Sequence, residues 1–247
     1  MPLPTGFLEH LQQNGYHPRS NSHSNALARA IVDDLLDACA HLAERANRGE
    51  LVYQLNFDLL YGTSEWNIDL VLGRPAPPFE APPAGARIRQ ANPSSIEIAI
   101  ELKAVMTEHR KAAKNRKRDL EAHHGHVHNY NSRTIAAGVM LLNVSPTFQS
   151  PLKQQPNVHR QPHALVTHCI EQLRSVTESR AIGQPGLDAK MALVVSMDNM
   201  RLEATRFHTD PPAPRVGDPL HYDAFIGRLC ALYQDRFAQI QVPPYDR

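Results

Sequence analysis

The sequence predicts an α/β fold, a mixed β-sheet flanked by helices with loop insertions, and three consecutive stretches carry that expectation. Ile96–Lys103 alternates with period two, the signature of a strand. A basic segment with helical spacing follows it. Thr134–Val144 is then a continuous apolar run of strand length, suited to a buried central strand. This β-helix-β order defines the core.

The other elements follow from the same periodicities. Ser20–Ser24 is rich in capping residues and leads into a helix in which Leu27, Ile31, Leu35, Ala38 and Leu42 recur near helical spacing, running to about Asn47 or Gly49. Leu51–Leu60 alternates imperfectly and ends in Tyr-Gly-Thr-Ser, a strand and a turn. Trp66–Leu72 is an apolar strand ending at Gly73, so a β-meander is expected, with Ile96–Lys103 as its third member. Between the last two strands, residues 74–93 are crowded with proline, which removes the backbone donor and fixes φ; the insertion is a loop or extended excursion. Its Arg87 and Arg89 suit either a surface loop or a grip on a groove or a partner. After Val144 come a polar loop in the 150s, a helix over Ala164–Arg180, a buried strand over Met191–Met197 with Leu202–Phe207 beside it, and a terminal helix over 222–240.

A chain of 247 residues with 42% hydrophobic content buries a sizeable core without dividing, and a single domain over 1–247 is expected, its core about 25–200. No long apolar stretch and no leader is visible, which predicts a cytoplasmic protein without a membrane partner. Cys39, Cys169 and Cys230 are odd in number and widely spaced, the pattern of packing residues. Glycine-rich nucleotide loops are absent from the sequence, so no nucleotide cofactor is expected.

Charged side chains on the third strand carry the chemistry. Strict alternation would put Ile96, Ile98, Ile100 and Leu102 on one face and Glu97, Ala99, Glu101 and Lys103 on the other. Glu101 and Lys103 then stand roughly 6.5–7 Å apart, near enough to serve one phosphate and one metal ion. A carboxylate is the hard oxygen ligand that Mg²⁺ or Mn²⁺ prefers, and a neighbouring lysine can hold or activate water. A second carboxylate is needed. Asp69, 32 residues earlier on the preceding strand, is the first choice, and Asp58 is its rival.

An Asp on one strand followed by Glu-x-Lys on the next resembles the PD-(D/E)xK nuclease superfamily, which includes many restriction endonucleases. The matching residues are Ile68-Asp69 and Glu101-Leu102-Lys103; Ile68 replaces the proline of the name, and the connection is long. The resemblance spans about Asn25 to Val144. It implies a restriction-endonuclease-like core, Asp69 and Glu101 as metal ligands for Mg²⁺ (with Mn²⁺ able to substitute), and Lys103 positioning the attacking water. It further implies an acid from the first long helix, Asp34 or Asp37, and a residue from the helix after the strand, Glu108, His109 or Lys111; Glu97 is a further candidate on the strand itself.

Six Lys or Arg residues occupy nine positions from Arg110: Arg110, Lys111, Lys114, Arg116, Lys117 and Arg118. Because 26 basic residues nearly balance 25 acidic ones, this local concentration is more telling than the net charge of +1. On a helix Arg110, Lys114, Lys117 and Arg118 fall on one side, as a phosphate-tracking surface or a solvated face, while Ala113, Leu120 and Val127 face the sheet. His123, His124, His126 and His128 lack the Glu that a zinc protease places between two histidines, and read as structural or solvent-facing.

Two function classes stand. One is a Mg²⁺-dependent endonuclease hydrolysing double-stranded DNA, by resemblance a type II restriction endonuclease acting as a homodimer, or a repair or junction-resolving nuclease. The other is a non-catalytic nucleic-acid-binding or assembly subunit, in which a salt bridge from Glu101 to Lys103 or Arg110 is structural. RNA remains open as the substrate.

Overall fold

The computed structural model describes residues 3–107 and 109–237, apart from the side chains of Ser64 and His109. Its elements are α1 (Thr5–Asn14), α2 (Ser22–Ala38), α3 (Ala40–Asn47), β1 (Val52–Tyr61), β2 (Ser64–Arg74), β3 (Arg89–Gln90) and β4 (Ser95–Val105). They continue with α4 (His109–Tyr130), β5 (Ile135–Asn143), β6 (Thr147–Phe148), β7 (Asn157–Val158), α5 (Pro162–Arg174), β8 (Ala189–Ser196), β9 (Arg206–Phe207) and α6 (Tyr222–Phe237).

Seven strands form one mixed sheet in the order β3-β1-β2-β4-β5-β8-β9, and β6 pairs with β7 alone. The expected meander is present: β1 pairs with β2 and β2 with β4, both antiparallel. The chain then crosses over through α4 and α5, so β4, β5 and β8 are parallel, and β9 closes the edge antiparallel to β8. Helices cover both faces, giving the α/β architecture the sequence predicts. One apolar cluster joins α1, α2, α3 and α6 to the sheet through residues such as Phe7, Ile31, Leu42 and Phe225. The other joins α4 and α5 through Ala113, Leu120, Val166 and Leu173.

Several elements differ from the sequence expectation. The first long helix is two helices, because the chain is extended at Cys39 (φ −123°, ψ 91°) and turns there from α2 into α3. The helix expected over Ala164–Arg180 stops at Arg174, with Ser175 as its C-cap. Within the proline-rich insertion a short strand, β3, pairs in parallel with β1. Arg87 and Arg89 are tied back onto the protein, to Asp37 (2.6 Å) and Glu80 (2.7 Å). The α6 helix follows the expected terminal helix as far as Phe237, and 238–240 lie outside the described residues. All three cysteines are buried.

One irregularity reorganises the key strand. Leu72 pairs with Ile98 but Gly73 with Ile96, so Glu97 is an extra residue, a β-bulge in β4. The bulge reverses the alternation at its N-terminal side. Ile96 packs with Ala99 in the α4–α5 cluster, while Glu97 turns to the opposite face. Gly73 makes the bulge feasible, since a Cβ there would lie 2.0 Å from the Ser95 carbonyl oxygen.

Candidate active site

Cross-strand register brings the two acids together. Ladder pairing between β2 and β4 ends at Leu70 and Ile100, and its next step would set Asp69 opposite Glu101. Side chains at opposed positions share a face, and like charges there repel. The strands stop pairing at this point, and the Leu102 N–H donates instead to Asp69 Oδ2 at 2.7 Å. That bond fixes the aspartate beside the glutamate.

Glu101 is the buried member, with 2% of its surface exposed, whereas Asp69 and Lys103 are half-buried. Lys103 Nζ pairs with Glu101 Oε1. Glu101 Oε2 is buried with no hydrogen-bond partner among the described residues. Burial first, and the Asp69 charge second, raise the Glu101 carboxyl from 4.5 to about 7, against the pull of Lys103. Burial also raises Asp69, opposed by Lys103 and the Leu102 N–H.

Beneath Glu101 lies α4, drawn close to the sheet by Gly138, the β5 residue paired with Glu101. A Cβ on Gly138 would come within 2.8 Å of Leu187 and 2.9 Å of Leu120. His123 of α4 is fully buried in this interface; its Nε2 contacts the Ala99 carbonyl oxygen at 3.2 Å and its Nδ1 lies 3.8 Å from Glu101 Oε2. Burial lowers its pKa to about 3, so the imidazole is neutral. With Nε2–H donated to Ala99, Nδ1 turns a lone pair toward the unpartnered oxygen of Glu101. The sequence reads His123 with its neighbours as structural or solvent-facing, and the fold buries it. Its position three residues after Leu120, within the stripe Ala113, Leu120 and Val127, was the available signal. The other histidines serve packing: His126 stacks on Trp66 (4.5 Å, 16°), His124 Nδ1 accepts from Gly186 N–H, and His128 meets Asp188.

The additional acids are not at this site. Glu97, turned by the bulge, accepts both Arg45 guanidinium nitrogens at 2.7 and 2.9 Å and the Tyr233 hydroxyl at 2.9 Å, a buried structural cluster on the other face. Asp34 accepts a hydrogen bond from the Tyr222 hydroxyl, and Asp37 pairs with Arg87 at the surface. Both lie on α2, which packs on the face opposite α4, whereas Glu101 points toward α4. Asp58 is exposed and accepts from Asn67 at 2.7 Å. His109 opens α4, its side chain outside the described residues, as Glu108 is altogether. Of the basic residues, Arg110, Lys111, Lys114 and Arg118 are exposed and make no ion pair among the described residues, whereas Arg116 pairs with Asp119 (2.9 Å) and Lys117 with Glu121 (3.3 Å).

No family model, curated protein or solved structure matches this chain. No helix among the described residues is long and apolar enough to cross a membrane. Among the described residues no three His, Cys, Asp or Glu side chains gather as a metal cage. Mg²⁺, however, is commonly held by one or two carboxylates completed by water and phosphate, and a carboxylate pair with one buried, unpartnered oxygen has the donor chemistry for it.

Proposed function

We propose that this chain is a Mg²⁺-dependent endonuclease that hydrolyses DNA phosphodiester bonds, with double-stranded DNA as substrate and restriction of foreign DNA, as a homodimer in the cytoplasm, as its role. The observation that carries this reading is the placement of Asp69 beside buried Glu101, whose second oxygen has no partner among the described residues. Two carboxylates held against mutual repulsion, at a cost to the fold, mark a place where a cation is expected. Asp69 and Glu101 would hold the ion. When bound, it would supply Lewis-acid stabilisation of phosphodiester charge and a more acidic water.

The chain's own residues define the rest. Lys103, half-exposed above Glu101, offers an ammonium to a phosphate oxygen or the attacking water. His123 buttresses Glu101 from below, keeping bulk water off its inner oxygen. The exposed cations of α4 supply a surface that attracts a phosphate backbone without reading its sequence. Because Glu101 titrates near 7 in the metal-free protein, cation affinity rises through that range as the carboxyl loses its proton.

The Lys103–Glu101 ion pair favours a second reading, a nucleic-acid-binding subunit in which the strand is structural. Cation binding separates the two. Plasmid and genomic DNA incubated with the protein in Mg²⁺, in EDTA, and with Glu101→Ala would give metal-dependent fragments lost in the variant. Absence of cleavage on DNA and RNA alike, with no Mn²⁺ bound by calorimetry, would reject the nuclease reading.

A further inference from the structure

The site has a second charged pair that the Glu-x-Lys motif does not include. Because α4 links parallel β4 and β5, it runs antiparallel to β4. His123 marks the level of Glu101. Asp119, one turn earlier, stands about 6 Å nearer the C-terminal end of β4. Lys103 is advanced over Glu101 by roughly the same distance along the strand. Asp119 and Lys103 therefore stand at about the same level beyond Glu101, and the Asp119 charge reaches Glu101, adding to the upward pressure on its carboxyl.

Asp119 is gripped by Arg116, Nη1 to Oδ2 at 2.9 Å. Arg116 differs from its basic neighbours. It lies three residues after Ala113 on the sheet-facing flank, is half-buried, and its Nε is buried without a partner among the described residues. Its positive charge acts on the hydroxyl of Tyr16, which follows α1 and packs edge-on against Phe148 just beyond β5. The guanidinium thus overhangs the C-terminal end of the sheet, where Lys103 emerges, with spare donors and a planar fork suited to a phosphate.

We propose that Arg116, oriented by Asp119, is the clamp for the scissile phosphodiester, gripping it opposite Lys103, whereas Arg110, Lys111, Lys114 and Arg118 hold flanking backbone. The inference rests on the nuclease reading of the same site, and names the group that would fix the substrate there. Asp119 is a positioning residue and touches no substrate.

The test uses a 5′-phosphorylated thymidine dinucleotide, too short to span α4, titrated into the full chain with Ca²⁺ in place of Mg²⁺. Binding is followed by calorimetry and by the Arg116 Nε–H resonance. The wild type is expected to bind with a shift of that resonance. Arg116→Ala and Arg116→Gln should weaken binding about tenfold or more, Arg116→Lys should restore part of it, and Asp119→Asn should give an intermediate loss. Arg110→Ala should leave dinucleotide binding unchanged while weakening binding of a long duplex. Equal dinucleotide affinity in wild type and Arg116→Gln, equal loss in Arg110→Ala, or no binding by the wild type would overturn the clamp. DNA cleavage separates this from the underlying reading: Arg116-dependent binding by a protein that cuts no nucleic acid leaves Arg116 as a phosphate-binding group and removes the nuclease, and undiminished cleavage by Arg116→Gln keeps the nuclease and removes the clamp.

Discussion

Replacing Glu101 by Gln is expected to stabilise the metal-free protein at alkaline pH. The folded-state carboxyl is raised from 4.5 to about 7, so the folded protein binds this proton more tightly than the unfolded chain does. For an acid raised in this way, the stabilisation from its proton is fully present below about 4.5 and is lost as pH rises through about 7. At roughly 1.4 kcal/mol per tenfold change in acidity, the loss at pH 8 is about 3 kcal/mol. At pH 5 it is under about 1 kcal/mol. Glu101 is 2% exposed, so solvent screening removes little of this, and the value already includes the attraction of Lys103. Glutamine mimics the protonated form and escapes the penalty.

Thermal unfolding in EDTA would be followed for wild type and Glu101→Gln at pH 5 and pH 8. For a chain of this size about 3 kcal/mol corresponds to a rise of roughly 6–12 °C at pH 8, shrinking to about 3 °C or less at pH 5. Adding Mg²⁺ should raise the wild-type midpoint at pH 8 and leave the variant unmoved, since a ligand stabilises only the state that binds it. Equal midpoints at pH 8, or an advantage as large at pH 5, would show that Glu101 is not held ionised at a cost, and the argument for a cation at this carboxylate would fall with it.

Other outcomes follow from the same contacts. Arg45→Met leaves the Glu97 carboxylate buried without its guanidinium and should cost about 3–5 kcal/mol in urea unfolding, without altering metal affinity at Glu101. Gly73→Ala sets a Cβ 2.0 Å from the Ser95 carbonyl oxygen, so a loss of about 2 kcal/mol or more is expected, read as a lowered denaturation midpoint. Lys114→Ala with Arg118→Ala removes two exposed cations, and should weaken duplex DNA binding in EDTA and flatten its salt dependence by about one unit of log–log slope per charge.

Most of the sheet was legible because its strands carry their own signatures. The apolar run of β5 and the alternation around Ile98, Ile100 and Leu102 report burial directly, and all four residues from Ile135 to Gly138 are buried as a central strand requires. Features that depend on a partner were not legible. The break at Cys39 interrupts a helical apolar pattern that reads as continuous, because α2 and α3 both present that stripe to the same cluster. The bulge at Glu97 is hidden similarly. Ser-Ile-Glu-Ile-Ala-Ile-Glu reads as uninterrupted alternation, and only the opposing backbone, with Gly73 admitting a close approach, reveals the extra residue. One residue of slip transfers every side chain beyond it to the other face. That is why Glu97, placed beside Glu101 by the sequence pattern, belongs to Arg45 and Tyr233 instead.

The same distinction separates the parts of the candidate site. Asp69, Glu101 and Lys103 lie on neighbouring strands, where period two and a Glu-x-Lys spacing leave few arrangements, and the register sets Asp69 one step past the Leu70–Ile100 pair. His123, Asp119 and Arg116 reach the site from a helix, whose rotation is fixed by what it packs on. Gly138 decides that rotation by letting Leu120 seat against β5 beside Glu101. Once Leu120 is seated, helical geometry puts His123 beneath Glu101, with Asp119 one turn earlier and its partner Arg116 beyond it. A larger residue at 138 would therefore disturb Glu101 through α4. Gly138→Ala, whose Cβ would meet Leu120 at 2.9 Å, should lower cation affinity at Glu101 by displacing His123 and Asp119, although position 138 bears no ligand group. Calorimetric titration with Mn²⁺ measures this, and an affinity equal to that of the wild type in a folded variant would show that α4 does not set the carboxylate's environment.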